Sequence, residues 1–567
     1  MQKFKDLPYE RPDVNRVMQE LQACIEKFAG AADFEQAHAA FSERAQIMSH
    51  VETMHTIAYI RNTVNMKDAF YDGEIAFFNE TIPQLTPVEQ QWLGEIVKSP
   101  FRPELEKRYG SHYFKSAEMQ LKLTDPAIIP EMIEENNLST EYAKTAAACS
   151  VEFMGETCNF YGLLRHMQAT DRQERKNAFL AWAKLYEEVA PTLEEQYGKL
   201  VRLRCTMAKK LGFDSYIDYV YPLRGRYDYT AKEAAAFREA VRKYITPVCD
   251  RMYREQAERL GVDKLHLYDE QLVFPDGNAL PIGTPEELVE KARRMYSDLS
   301  PETKEFFDFM AEHELFDLVT RENKHLGGYC TWLTDEKAPF IFSNFNGTSA
   351  DVNVLTHEAG HAFEFYYAVR RLPLAELSGS TSEINEIHSM TMEHFAYPYM
   401  ESFFGDKADK YRFAHFTEAL KTIPYLVSVD EFQHRVFEHP EAEPADWRRF
   451  WREIERKYMP WRDYDGNEFL ESGGYWMQKQ HIFLYPFYYI DYALAQMGAF
   501  SLFRRQVESG DAWEHYLTLC SIGGMYGYFE TLGRAEIPVP LNEEVVKGNA
   551  AFAADYAKVL RERAEKE

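Results

Sequence analysis

His357, Glu358 and His361 stand in the run Asn353-Val354-Leu355-Thr356-His357-Glu358-Ala359-Gly360-His361-Ala362-Phe363-Glu364-Phe365, and no other stretch restricts the fold as tightly. Side chains four residues apart lie one turn apart on the same face of an α-helix. Two imidazoles placed in this way converge on one Zn²⁺ at ~2.0–2.1 Å, provided that the run is helical. The apolar residues agree with a helix: Val352, Leu355, Ala359, Ala362 and Phe363 recur at its spacing, and Asp351 is placed to cap its start. A catalytic metal needs a third protein ligand and an open position for water. Glu358, next to the first histidine, is placed to flank such a metal and to carry the water's proton as a general base. Histidine pairs at this spacing also occur as ordinary surface or core pairs, so a third ligand has to be found.

Candidates follow in Ser382-Glu383-Ile384-Asn385-Glu386-Ile387-His388-Ser389-Met390-Thr391-Met392-Glu393-His394-Phe395. This run lacks Pro and Gly, and Ile384, Ile387, Thr391 and Phe395 give it helical spacing, with Ser382 as its expected cap. Pro373 and Gly379 lie between the two helices, where the chain has to turn. On side-chain chemistry alone, Glu383, Glu386, His388, Glu393 and His394 all qualify as ligands.

The stretch from Gly327 to Phe395 resembles the thimet oligopeptidase and oligoendopeptidase F family of zinc peptidases. That family carries a Glu 29 residues after the first His, followed by x-x-Ser; here Glu386-Ile387-His388-Ser389 occupies that place. The resemblance implies one Zn²⁺ per chain on His357, His361 and Glu386, with Glu358 as the base. It makes Glu383 the fallback ligand and Glu393 a carboxylate beside the site or in solvent. Gly327–Leu333 and Pro339–Thr348 are β-rich in type and read as two strands of a small sheet just ahead of the motif helix. In the resembling peptidases such an edge strand pairs with an extended substrate, and Gly327, Gly328 and Gly347 allow close backbone approach. Further on, the family has a His followed about a dozen residues later by tyrosines that stabilise the oxyanion. His481 and Tyr492, 11 residues apart, match this best, with Tyr489 next. Pro486 suits the first turn of a helix there, which would place Tyr485, Tyr489 and Tyr492, or Tyr488 and Tyr492, on one face.

The implied fold is mostly α and zincin-type: two helical halves enclosing a deep channel, with a small β-sheet beside the metal helix. The implied activity is cleavage of internal bonds in short unfolded peptides. A zinc exopeptidase shares the ligand pattern, but no motif anchors a terminal amine or carboxylate. A peptide-binding scaffold with a structural metal would need four protein ligands, and the resemblance supplies three.

The rest of the chain is consistent with a helical protein. Apolar residues recur at three and four along residues 14–100, and prolines punctuate the helices. A capped helix begins at Asp171, and another ends at Gly212. Leu211-Gly212-Phe213 and Tyr216-Ile217-Asp218-Tyr219 again resemble the same family. Pro247 is expected to split a helix over 229–260. Gly473-Gly474 and Gly523-Gly524 read as flexible turns, and the charged segment from Glu543 as a solvated final helix. The expected division is an N-terminal helical region over 1–190 and a catalytic domain over 191–567.

A formal net charge of −27 argues against nucleic acid and against an anionic membrane surface as partners. It leaves short peptides as the expected partners and the oligomeric state open. Seven scattered cysteines with no C-x-x-C read as free thiols in a reducing compartment. No signal-like or membrane-length apolar run is present, so the expected location is cytoplasmic.

Overall fold

The computed structural model describes residues 1–566 apart from 322 and 326, without the side chains at 140 and 147. The described residues are mostly helical, with two small sheets among them. By contact density it divides into two units that interleave along the sequence. One comprises Met1–Pro126, Leu280–Ala408 and Gly498–Val539, the other Ala127–Ala279, Asp409–Met497 and Pro540–Glu567. The boundary expected at residue 190 falls inside the unbroken helix Arg172–Lys210, which is capped by the Asp171 carboxylate and followed by Gly212 at φ +82°.

The first unit holds the motif. Its N-terminal helices Val14–Ala29, Phe34–Val64 and Thr86–Lys98 bury Leu21, Phe41 and Trp92 in one apolar cluster. Leu374 and Leu377, from the turn after the motif helix, belong to the same cluster. Arg44 adds a polar tie: its guanidinium donates to Glu376 at 2.9 Å and also to Glu89. The N-terminal helices therefore hold the segment that connects the two candidate ligand helices.

The sheet of this unit has three strands in the order Phe316–Val319, Ala338–Phe345, Tyr329–Leu333. The second and third are the strands expected from sequence, and they pair antiparallel with Tyr329 opposite Phe342. Phe316–Val319 pairs parallel to the central strand and was not expected. It is four residues long, too short for an alternation to be read from sequence. The central strand is buried along almost its whole length, which explains its unbroken apolar character. The motif helix Ala350–Val369 packs against this sheet, with Trp332 stacked on Phe365 at 4.7 Å between ring centroids. Val352, Leu355, Ala359, Ala362 and Phe363 are all fully buried, so the apolar face expected from their spacing is the packed face.

The second unit is built on Arg172–Lys210, Ala408–Glu438, Pro444–Tyr458 and Glu543–Ala564, with a short hairpin, Val151–Phe153 and Glu156–Cys158. Pro247 does interrupt its helix. Ala231–Ala240 runs into a π-helical turn over Val241–Ile245, and a new α-helix starts at Thr246, because Pro247 has no N–H to give to the preceding turn. Three expectations are corrected. The final helix is not simply solvated: it buries Ala550, Ala553, Ala557 and Leu560 on one face, and Asn549 donates to the Met497 carbonyl at 2.9 Å. Gly473-Gly474 is not a loose turn, since a side chain at 473 would run into the Arg448 carbonyl and one at 474 into the Phe469 ring. In the first unit, Gly523-Gly524 is likewise fixed: the Gly524 N–H donates to the Leu377 carbonyl at 2.7 Å.

Candidate metal centre

The motif helix and the helix Ser382–Phe395 lie against each other in the first unit. Asp351 does not cap the motif helix. The cap position is Ser349, and Asp351 sits in the first turn, where its carboxylate accepts the N–H groups of Asn346 at 2.9 Å and Gly347 at 2.8 Å. It closes the incoming loop while its charge faces the positive end of the helix. Thr381, not Ser382, takes the cap position of the second helix, and its side chain makes no capping bond.

Gly360 sets the distance between these helices. A Cβ there would lie 2.6 Å from Ser389 Cα and 2.9 Å from the His388 carbonyl oxygen. Only a glycine allows the backbones to approach so closely. Sequence reasoning passed over Gly360, because nothing local requires it; its partner is 28 or 29 residues away in the chain.

The approach brings three donor atoms together. His357 Nε2 lies 3.5 Å and His361 Nε2 3.6 Å from Glu386 Oε2, and the three ligand atoms all fall within 4.8 Å of one another. The other candidates on the second helix lie outside this group of three. His394 Nδ1 lies 2.9 Å from the Met390 carbonyl, and its ring stacks on Phe503. His388 is fully buried, and burial drives its imidazole down to about 3, so it is neutral there. Glu383 is buried outside the group of three.

Glu393 Oε1 lies 2.6 Å from His357 Nδ1. That contact fixes the ring so that Nε2 faces Glu386. Burial works against a charged imidazole at His357, but the bonds to Glu386 and Glu393 raise its pKa well above the ordinary range. Burial also works against ionised Glu386, yet the neighbouring histidines hold its carboxyl far below the usual value. A site that keeps one carboxylate ionised among imidazoles has the charge balance for a cation. Ser389 adds to it, with Oγ 3.2 Å from Glu386 Oε2. Replacing Glu393 by Gln is expected to lower metal affinity by roughly 10–100-fold, read by competition against a chromogenic chelator.

Glu358 is 8% exposed, and burial raises its carboxyl above the ordinary range. A Cβ on Gly328 would lie 3.8 Å from Glu358 Oε1, so the base candidate abuts the chain just before the strand Tyr329–Leu333. Of the three glycines expected to allow close approach, Gly328 does so. Gly327 and Gly347 instead supply positive φ, +91° and +86°, with open space where a side chain would be.

His481, Tyr489 and Tyr492 form a ring cluster in the second unit. His481 lies 4.8 Å from Tyr489 and 6.2 Å from Tyr492, between ring centroids. Pro486 does not start their helix. The short helix Gln480–Leu484 ends, Phe487 turns at φ +63°, and the next helix begins at Tyr489. Phe487 N donates to Gln433 Oε1 at 2.8 Å, which holds the turn. Tyr485 is therefore off the helix that carries Tyr489 and Tyr492, and it is 53% exposed. Tyr488 is covered by the Arg224 guanidinium at 4.5 Å.

Residues 4–124 match the peptidase M3 N-terminal domain, and residues 165–550 match peptidase family M3. The fold is similar to that of Pz peptidase A, solved with an inhibitor, at 42% identity and a TM-score of 0.94 over 98% of this chain and 99% of that one. A protein from Bacillus anthracis str. Ames, described as a candidate oligoendopeptidase F, is 38% identical with a TM-score of 0.90 over 99% of this chain and 98% of that one. An oligoendopeptidase F homolog of Mycoplasma pneumoniae is 24% identical over 219 residues, 36% of this chain; the match spans 33% of that relative's length. With family matches over both segments and relatives of this likeness along almost its whole length, the chain belongs to peptidase family M3, whose members are metallopeptidases.

Proposed function

We propose that the chain is a zinc-dependent oligoendopeptidase that cleaves internal bonds of short unfolded peptides. The observation that carries this reading is the convergence of His357 Nε2, His361 Nε2 and Glu386 on one point beside the buried Glu358. The donor set fits zinc: two imidazoles and one carboxylate, one imidazole oriented from behind by Glu393, would hold the ion. Bound by these residues, the ion supplies a Lewis acid that brings the pKa of water to ~7 and polarises the scissile carbonyl.

The chain's own groups do the remaining work. Glu358 takes the proton of the attacking water on a carboxylate oxygen and returns it to the leaving amine. Its burial suits both tasks, because burial raises the carboxyl pKa above the ordinary range and makes the group a better proton acceptor. His481 and Tyr492, with Tyr489, are assigned as donors to the oxyanion that forms on the former carbonyl oxygen. The strand Tyr329–Leu333 stands at the end of its sheet's strand order and is assigned to pair with the extended substrate backbone. The likeness to Pz peptidase A and to oligoendopeptidase F supports short peptides as the substrate class.

The test is hydrolysis of an internally quenched peptide of about eight residues, blocked at both ends, with the products identified by mass. Cleavage at an internal bond is expected, and Tyr492→Phe should lower kcat by about 10²-fold with little change in KM. Cleavage only after one end is unblocked would replace the endopeptidase reading with an exopeptidase one.

A further inference from the structure

The second unit carries another group with the chemistry of a metal site. Glu156, Cys158 and His166 place a carboxylate oxygen, a thiol sulfur and a ring nitrogen within 4.8 Å of one another. Glu156 and Cys158 lie on the second strand of the hairpin Val151–Phe153/Glu156–Cys158, and His166 is the last residue of the helix Phe160–His166. The hairpin turns through Met154 and Gly155, both at positive φ. The Asn159 side chain then accepts the Gly162 N–H at 2.9 Å and starts the helix directly after Cys158. A Cβ on Gly162 would stand 3.3 Å from Cys158 Sγ, so the missing side chain leaves the sulfur its place against the helix.

His166 is prepared as a ligand. Its Nδ1 lies 2.7 Å from Glu174 Oε1, from the long helix Arg172–Lys210. This mirrors the way Glu393 holds His357, a carboxylate behind an imidazole fixing which nitrogen faces forward. The forward nitrogen, His166 Nε2, is buried and makes no hydrogen bond among the described residues. An orphaned buried ring nitrogen costs free energy unless something occupies it. Cys158 is 3% exposed. Glu156 is exposed, and its Oε2 is paired with Arg165 at 2.6 Å, which leaves its other oxygen for a further partner.

We infer that Cys158 Sγ, His166 Nε2 and a carboxylate oxygen of Glu156 form a second divalent-metal site, for zinc or a similar borderline-soft transition ion. The mixed sulfur, nitrogen and oxygen set excludes calcium and magnesium, which take oxygen ligands. Three protein ligands leave a fourth position for water. It pins the hairpin to the helix that follows and, through Glu174, to Arg172–Lys210. Binding displaces the Cys158 thiol proton, so affinity falls as pH drops.

The site is told apart from the candidate centre in the first unit by sulfur, because His357, His361 and Glu386 include none. The experiment is Co²⁺ titration of the metal-stripped full-length protein, followed by absorbance and by metal counting after desalting. Two ions per chain are expected, with a thiolate-to-cobalt charge-transfer band in the near ultraviolet. Cys158→Ser should abolish the band and remove one ion, and His166→Ala should weaken binding at least tenfold. His357→Ala should remove the other ion and leave the band intact. A wild-type protein with no such band, or a band unchanged in Cys158→Ser, overturns the inference whatever the folding of the variants.

Discussion

Glu358→Ala is expected to leave metal content unchanged while kcat for the blocked peptide falls by roughly 10²–10⁴-fold, the range for losing a positioned proton carrier. The carboxylate is not among the three converging donors, so its removal takes away no ligand. It is buried, and its truncation leaves a small void beside the Gly328 backbone instead of an unpaired charge. Stability should therefore hold, and the loss should appear in kcat, because the proton moves only on the way to the transition state. Metal analysis and steady-state kinetics on the same preparation decide the matter. A variant that loses its metal would make Glu358 a ligand, and one that keeps both metal and activity would remove it from the mechanism.

Gly360→Ala is expected to do damage of a different kind, acting on stability and on the site together. The added methyl would sit 2.6 Å from Ser389 Cα and 2.9 Å from the His388 carbonyl oxygen, both backbone atoms that cannot swing aside. Alanine favours a helix by about 0.8–1 kcal/mol over glycine, but this gain is set against overpacking of a closed contact, which costs ~1–3 kcal/mol or more. The helices have to separate. Glu386 lies one turn from Ser389 and moves with it, while His357 and His361 stay on the other helix. Metal affinity and activity should then fall further than the change in Tm alone would suggest. Thermal unfolding with and without added zinc separates the two effects: an unchanged Tm and full zinc stabilisation would show that the contact yields without cost.

The contrast between these residues shows what a sequence can and cannot disclose. Glu358 is legible because its chemistry and its neighbours lie within one turn of helix. Gly360 carries no local signal, since its requirement comes from a second helix whose position the local pattern does not contain. The choice among Glu383, Glu386, His388, Glu393 and His394 has the same character. All five lie on one helix with suitable side chains, and helical periodicity alone does not say which face meets the motif. The resemblance pointed to Glu386. In the structure Glu386 joins the two histidines, while Glu393 stands behind His357 and the rest lie outside the group.

Elements with strong local determinants were readable: the motif helix from its apolar spacing, and the break near Pro247 from a missing N–H; Asp171 and Gly212 marked the two ends of Arg172–Lys210, but read as ends of two separate helices that the structure joins into one. Elements defined by a distant partner were not. The strand Phe316–Val319 exists because the central strand offers it an edge. The turn at Phe487 depends on Gln433, 54 residues away. Cys158 and His166 read as an isolated thiol and an isolated imidazole until a two-residue turn and a short helix set them side by side. The sequence by itself determined the helical class, the His357-to-His361 motif, and the charge balance of the chain. Only the tertiary structure decided how close the two candidate ligand helices stand and which donors converge, because those depend on contacts between segments that no local periodicity records.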